Sequence, residues 1–88
     1  MAYTFELRAS VEKEFHKIAK KNPPLLIAIH NKIEEILQNP LHYKPLRAPY
    51  QHMRRVHIMK SFVLIFSINA LTNTVIIESF EHHDAAYL

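Results

Sequence analysis

The sequence predicts an α+β domain in which two helices cover one face of a twisted sheet. Three observations predict this class: a short alternating segment at the N-terminus, two amphipathic helical segments separated by prolines, and three strand segments in the C-terminal half. The 88 residues, of which 49% are hydrophobic, are enough for one core and too few for two. We therefore expect residues 1–88 to form a single domain with the element order β-α-α-β-β-β.

The N-terminal strand is predicted over residues 3–7. Tyr3, Phe5 and Leu7 alternate there with two polar side chains. A period of two is typical of a strand with one buried face, so this segment is expected to lie in the sheet.

The next two segments are predicted to form a helical hairpin. Ser10 is the expected N-cap of the first helix, and Asn22-Pro23-Pro24 ends it and starts the second, because proline fits the first turn of a helix. Asn39-Pro40 stops the second helix. The apolar positions expected to cover the sheet are Val11, Phe15, Ile18 and Ala19 in the first helix, and Leu26, Ile29, Ile33, Ile36 and Leu37 in the second.

The C-terminal half contains a loop over residues 41–51 and three strand candidates, at residues 52–59, 62–69 and 73–80. Residues 62–66 are apolar on both faces, which predicts the central strand of an antiparallel meander. Residues 70–73 are short enough for a hairpin connection. The chain has no glycine, so Asn69 and Asn73 are the expected positions of positive φ.

The composition excludes several classes of site. There is no cysteine for a disulfide or a thiolate metal site, and no glycine for a phosphate-binding loop or dinucleotide fingerprint. The longest apolar run is too short to span a membrane, and the N-terminus has no secretion signal. We therefore expect a soluble, cytoplasmic protein that needs no cofactor and binds no membrane.

The charges are distributed unevenly, although the net charge is only +3. No acidic residue occurs between Glu35 and Glu78. That window contains eight basic or titratable nitrogen side chains: Lys44, Arg47, Arg54, Arg55, Lys60, His42, His52 and His57. A basic folded surface favours an anionic partner, most often nucleic acid, although a solubilising face or an acidic protein partner fits the charge as well.

Arg55 and His57 are the first candidate site residues. Side chains alternate across a strand, so if Val56 and Ile58 face the helices, Arg55 and His57 share the opposite face. Arginine offers a planar fork for phosphate, and histidine can transfer protons near pH 7. The alternative is that both are ordinary exposed residues in salt bridges with Glu78 or Glu81 of the last strand.

The C-terminal tail contains the second concentration of candidate residues, His82, His83 and Tyr87. Adjacent residues of an extended chain point to opposite sides, and the spacing matches no common zinc pattern, so no metal site is expected. One histidine could act as a general acid or base, and Tyr87 could stack on a base or assist proton transfer. Tyr87 could equally cover the edge of the core.

Four segments together resemble the RelE/ParE superfamily of prokaryotic toxins. They are Lys44-Pro45-Leu46-Arg47, Arg54-Arg55-Val56-His57-Ile58, Phe62-Val63-Leu64-Ile65-Phe66 and His82-His83-Asp84-Ala85-Ala86-Tyr87. The order of elements agrees with this superfamily across nearly the whole chain, and the RelE-like branch is the most similar. Each motif alone is loose, and the specificity lies in their order and spacing.

The resemblance implies a toxin of a type II toxin–antitoxin pair, in a tight complex with a cognate antitoxin for which a heterotetramer is one option. RelE-like members cut mRNA on the ribosome without a metal, by attack of a ribose 2′-hydroxyl on the adjacent phosphate. The ribosome and mRNA are then the expected partners. The resemblance implies catalytic roles for Arg55, His57, His82, His83 and Tyr87, and contacts to RNA phosphates for Lys44, Arg47, Arg54 and Lys60.

Two departures from the RelE-like pattern keep other functions open. Val63 stands where these toxins usually carry an arginine, and Met59-Lys60-Ser61 replaces a glycine-containing turn. The first alternative is a ParE-like toxin that inhibits DNA gyrase without nuclease activity. The second is a catalytically silent module that only binds an antitoxin or RNA.

Overall fold

The computed structural model describes residues 2–82 of the chain, and it confirms the α+β class and the order of elements. The strands and helices are β1 (Thr4–Leu7), α1 (Ala9–Lys21), α2 (Pro23–Gln38), β2 (Met53–Ile58), β3 (Phe62–Asn69) and β4 (Thr74–His82). A single turn of 3-10 helix (Pro40–His42) follows α2. Within residues 2–82, no helix is both long and apolar enough to cross a membrane.

The four strands form one mixed sheet in the order β1-β4-β3-β2. The last three strands form the predicted antiparallel meander, and β3 lies inside the sheet as expected. The first strand returns to the far edge and pairs parallel with β4. The parallel pairing depends on contacts about 70 residues apart in sequence, which local patterns do not report.

Both helices pack on the same side of the sheet, here called the helix face, and the opposite side is called the outer face. Phe66, Leu64 and Ile77 of the sheet are fully buried against the helices. Phe15 of α1 meets Phe80 of β4 edge to face, with ring centroids 5.8 Å apart. The helix face therefore holds the hydrophobic core, and the alternate residues of each strand are left on the outer face.

The helix ends and helix stripes differ from the prediction in three places. The first helix begins at Ala9 with Arg8 at the N-cap position, so the expected cap at Ser10 is wrong. Ala19 is exposed, and the prediction missed Leu25, which is buried because the stripe of α2 starts in the turn set by the two prolines. Leu26 is half-buried and packs against the core, as expected. The predicted stop and restart at residue 22 is confirmed, since the Asn22 side chain accepts a hydrogen bond from the Leu25 N–H at 3.3 Å.

The sheet contains one bulge and two turns with positive φ. The register of β3 and β4 shifts at Ile65/Phe66, which places Glu78 as the extra residue. Asn73 has a φ of 51°, as predicted, and Asn69 instead accepts a hydrogen bond from the Leu71 N–H. The prediction missed the turn after β2, in which two residues other than glycine or asparagine, Met59 and Lys60, have positive φ.

Candidate functional site

A cleft of about 730 Å³ lies beside the outer face of β2. Its polar lining comes from two places: Lys44, Arg47 and Tyr50 belong to the loop before β2, and Arg55 and His57 belong to β2 itself. The structure thus brings together four of the residues that the sequence analysis selected. It also confirms that Arg55 and His57 share one face of the strand, since Ile58, the next residue, is buried in the core.

Backbone hydrogen bonds hold the loop against the edge of β2. Pro45 forms an isolated antiparallel bridge with Arg54, and the Leu46 N–H donates to the Met53 carbonyl at 2.8 Å. The Tyr50 N–H donates to the Arg47 carbonyl at 2.8 Å, and the Met53 N–H donates to the Tyr50 carbonyl at 2.9 Å. The loop is therefore an ordered wall of the cleft.

Arg54 has a different role from Arg55 and His57, the two residues of β2 that line the cleft. It pairs in register with Phe66, which belongs to the helix face, and its guanidinium donates a hydrogen bond to the Tyr43 carbonyl. Burial raises the pKa of the Tyr43 phenol above its ordinary value, with a smaller contribution from Glu35. The hydrogen bond from Arg54 to Tyr43 holds the loop against β2, and Arg54 does not line the cleft.

The cleft is basic, because Lys44, Arg47 and Arg55 line it and none of its described lining residues is acidic. The alternative interpretation of the sequence pairs Arg55 and His57 with Glu78 or Glu81. In the structure, Glu78 accepts hydrogen bonds from Arg8 Nε at 2.9 Å and from Ser67 Oγ at 2.6 Å. The Arg8 hydrogen bond is the main cause of the lowered pKa of Glu78. The ionised Glu78 carboxylate is thus paired with Arg8, the residue that follows β1.

Val63 lies beside this site on the outer face. It pairs in register with His57 on one side and with Glu81 on the other, and it is 1% exposed. Directly paired residues have neighbouring side chains on the same face. The position at which the resemblance expects an arginine is therefore a buried apolar contact next to His57.

Two further predicted site residues that the structure describes, His82 and Lys60, do not line the cleft. His82 pairs in register with Phe62, and the two rings meet edge to face at 5.5 Å. Phe62 packs on the core, so His82 lies on the helix face, where it lines a separate cavity of about 480 Å³ with Glu14 of α1. Lys60 lies in the exposed turn after β2. His83 and Tyr87 lie outside the described residues.

Sequence reasoning missed one residue of the cleft, Tyr50. The residue lies in the proline-containing loop, between Arg47 and Arg55 in sequence, and a loop pattern by itself predicts only a connection. The available signal was an aromatic residue inside the longest basic stretch of the chain.

Among residues 2–82, no three side chains of the histidine, aspartate or glutamate type come together closely enough to hold a metal ion. The functional groups that line the cleft are three cations, a histidine and a phenol.

Comparison with known proteins establishes the family. The family model described as the ParE toxin of the type II toxin–antitoxin system parDE matches residues 5–87. This chain belongs to the RelE/ParE superfamily of toxins. The resemblance predicted from sequence is thus confirmed, and the chain is a toxin of a type II toxin–antitoxin system.

Two archaeal proteins are similar to this toxin over nearly its whole length. An uncharacterized protein of Methanosarcina mazei is 46% identical over 85 residues, covering 97% of this chain and 99% of the relative. A protein of Methanocaldococcus jannaschii is named, provisionally, toxin RelE4. It is 47% identical over 85 residues, covering 97% of this chain and 90% of the relative.

Solved structures show the same fold at lower identity. An arginine-to-alanine double mutant of Escherichia coli toxin RelE in the free state superposes with a TM-score of 0.79 at 21% identity, covering 99% of this toxin and 90% of that chain. The toxin–antitoxin complex RelBE2 from Mycobacterium tuberculosis gives a TM-score of 0.78 at 22% identity, covering 94% of this toxin and 100% of the matched chain. These likenesses support the fold class.

Proposed function

We propose that this toxin is a ribosome-dependent, metal-independent mRNA endonuclease whose site is the cleft beside β2. The observation that carries the proposal is the convergence of Lys44, Arg47, Arg55 and His57 on one cleft with no acidic residue among its described lining. A cationic groove binds the phosphates of RNA, and a histidine beside them can move a proton. Action on the ribosome would place the toxin in the cytoplasm.

The proposed reaction requires two proton transfers around one phosphate. The ribose 2′-oxygen loses its proton and attacks the adjacent phosphorus, and the bond from phosphorus to the 5′-oxygen breaks as that oxygen gains a proton. Arg55 stabilises the charge on the phosphate with its planar guanidinium, and His57 performs one of the proton transfers. Lys44 and Arg47 hold flanking phosphates, so catalysis rests mainly on positioning and charge stabilisation.

We propose that the second proton-transfer group comes from the C-terminal tail. His83 and Tyr87 are the predicted candidates for it, and His82 becomes the weaker candidate because it lies on the helix face with Phe62. Lys60 stays a predicted phosphate contact from the turn after β2.

A cognate antitoxin is the proposed protein partner. The family is defined by toxin–antitoxin pairs, and a similar toxin fold is found in the RelBE2 complex. An antitoxin that covers the cleft would neutralise its cations and exclude RNA, which predicts acidic residues on the covering segment.

Gyrase inhibition is the second candidate function, and two observations favour it. The matching family model is described as ParE toxin, and Val63 is a buried apolar residue where RelE-like toxins carry an arginine. A toxin of this kind would act by binding alone and would need no histidine in the cleft.

The deciding experiment is a translation reaction on a defined mRNA, in which cleavage sites are mapped by primer extension. We expect new cuts with the wild-type toxin, and we expect His57→Ala to slow them by about 100-fold or more, since a general acid or base contributes roughly 10²–10⁴. His16→Ala is the matched control, because His16 is an exposed histidine of α1 on the other side of the sheet.

The outcome separates the two candidate functions. Cuts that depend on His57 but not on His16 would support the endonuclease. If the wild-type toxin made no cuts while it inhibited gyrase supercoiling in a parallel reaction, the endonuclease proposal would fail and the second candidate would replace it.

A further inference from the structure

Tyr50 differs from the two tyrosines that pack on the core. Tyr3 and Tyr43 are half-buried against the hydrophobic core, whereas Tyr50 is 56% exposed and lines the basic cleft. An aromatic ring that neither fills the core nor covers it has free surface for a ligand. The proposed catalytic roles use Arg55 and His57 and leave this ring without a function.

The backbone of Tyr50 is already fixed in the structure. Its N–H donates to the Arg47 carbonyl at 2.8 Å, and its carbonyl accepts a hydrogen bond from the Met53 N–H at 2.9 Å. Binding therefore needs to order only the side chain, which has two rotatable torsions, so little conformational entropy is lost. A ring held in this way is suited to presenting a flat surface.

The neighbours of Tyr50 define the chemical class of the ligand. Arg47 lies on one side of it in the loop, and Arg55 lines the same cleft from β2. Proteins that bind single-stranded nucleic acid combine cations along the backbone with aromatic rings on which bases stack. A phosphate alone would leave the ring unused, and an apolar ligand would gain nothing from the positive charge of the cleft.

We propose that Tyr50 is a stacking platform for one base of single-stranded RNA, while the cations of the cleft hold the adjacent phosphates. This inference rests on the proposed function, and it adds the form of RNA that the cleft selects. The bases of a duplex already stack on one another, whereas an unpaired base can be turned onto a protein ring. Stacking tolerates every base, so Tyr50 selects unpaired RNA without selecting a sequence.

The test compares the binding of a short fluorescent single-stranded RNA with that of an abasic ribose-phosphate strand of equal length. Tyr50→Ala is expected to weaken RNA binding by about 5- to 150-fold, the range of one lost stacking contact, and to change abasic binding by less than about twofold. Tyr50→Phe keeps the ring and is expected to bind RNA within about twofold of wild type. Arg47→Ala is expected to weaken both strands.

Leu71→Ala is the matched control, because Leu71 is 97% exposed in the turn between β3 and β4 and touches no part of the proposed site. Equal losses for RNA and abasic strand with Tyr50→Ala would overturn the stacking proposal, as would RNA binding that Tyr50→Ala leaves unchanged. Absence of RNA binding by the wild-type toxin would overturn it too. The mapped cleavage reaction is a separate readout, so mRNA cuts with any of these results would leave the endonuclease standing.

Discussion

Single residues decide how charge is arranged on the outer face of the sheet. Glu78 is the residue of the bulge in β4, and its side chain is 15% exposed. Arg8 and Ser67 both donate hydrogen bonds to its carboxylate. The ion pair between Arg8 and Glu78 joins the segment after β1 to β4. The negative charge of the bulge is therefore balanced by Arg8.

Glu78→Gln is expected to lower the free energy of unfolding at pH 7, because it removes the ionised acceptor of three hydrogen bonds, two from Arg8 and one from Ser67. The Arg8 hydrogen bond is the first cause of the lowered pKa of Glu78, so the ionised form is favoured by folding. The stabilisation is complete above the ordinary pKa of 4.5 and is lost as pH falls through the lower pKa of the folded protein. Urea unfolding of wild type and variant from pH 7 to pH 3 measures this.

Glu34→Gln is the control for this prediction, since Glu34 is an exposed glutamate of α2. Its substitution is expected to change stability by less than about 0.5 kcal/mol at every pH. A gap between wild type and Glu78→Gln that stayed constant down to pH 3 would contradict the assigned role of the ionised carboxylate.

The turn after β2 shows where local sequence reasoning failed. Positive φ was assigned to asparagines because the chain has no glycine, and Asn73 meets that expectation. Met59 and Lys60 also have positive φ, which no residue-type preference would indicate. The pairing of Ile58 with Phe62 leaves only three residues to reverse the chain, so the hairpin geometry overrides the preference of these residues.

Met59→Gly is expected to raise the free energy of unfolding relative to Met59→Ala by about 0.5–1 kcal/mol. Glycine has no Cβ to clash at positive φ, and part of that gain is offset by its larger entropy in the unfolded chain. Both variants remove the same exposed side chain, so their difference isolates the backbone effect. Thermal or urea unfolding measures it, and equal stabilities for the two variants would contradict the account.

At the scale of elements, the periodicity of apolar residues predicted most of the strands and helices that position the site. Alternation along β2 was enough to put Arg55 and His57 on one face. The end of β4 was harder, because residues 81 and 82 join the strand by pairing with Val63 and Phe62 rather than by their own preference. That extension places His82 on the helix face, which no reading of the tail alone could determine.

The hairpin between α1 and α2 depends on a cap that the sequence does indicate. Asn22→Ala is expected to lower the free energy of unfolding by about 1 kcal/mol, because the side chain no longer accepts the Leu25 N–H. Asn31→Ala is the matched control within α2, where alanine is the better helix former, and it is expected to be neutral or to stabilise slightly. Urea unfolding measures both, and an equal effect of the two substitutions would contradict the capping role.

At the scale of the whole molecule, the fold brings distant segments into one basic cleft. The fold class, the meander and the helix face followed from patterns, whereas the parallel pairing of β1 with β4 and the wall formed by residues 44–50 did not. The parallel pairing joins residues about 70 positions apart in sequence. The wall depends on hydrogen bonds that residue periodicity does not report: the Leu46 N–H donates to the Met53 carbonyl, and Arg54 donates to the Tyr43 carbonyl. Tyr50 lines the cleft because it belongs to that wall.

Binding of RNA to this cleft is expected to weaken steeply with salt. Lys44, Arg47 and Arg55 supply about three cations, which predicts a slope near −2 for the logarithm of the association constant against the logarithm of salt concentration. Arg47→Ala is expected to reduce the slope by about 0.7. Lys13→Ala, on the exposed side of α1, is the control, and an equal change for both would show that RNA binds elsewhere.

The central claim is that the active site lies on the outer face of the sheet, at Arg55 and His57. The most direct measurement is the rate of mRNA cleavage on the ribosome by His57→Ala and by His82→Ala under identical conditions. The structure predicts a loss of about 100-fold or more for His57→Ala and less than about fivefold for His82→Ala, because His82 lies on the helix face. An equal or greater loss for His82→Ala would contradict this placement of the active site.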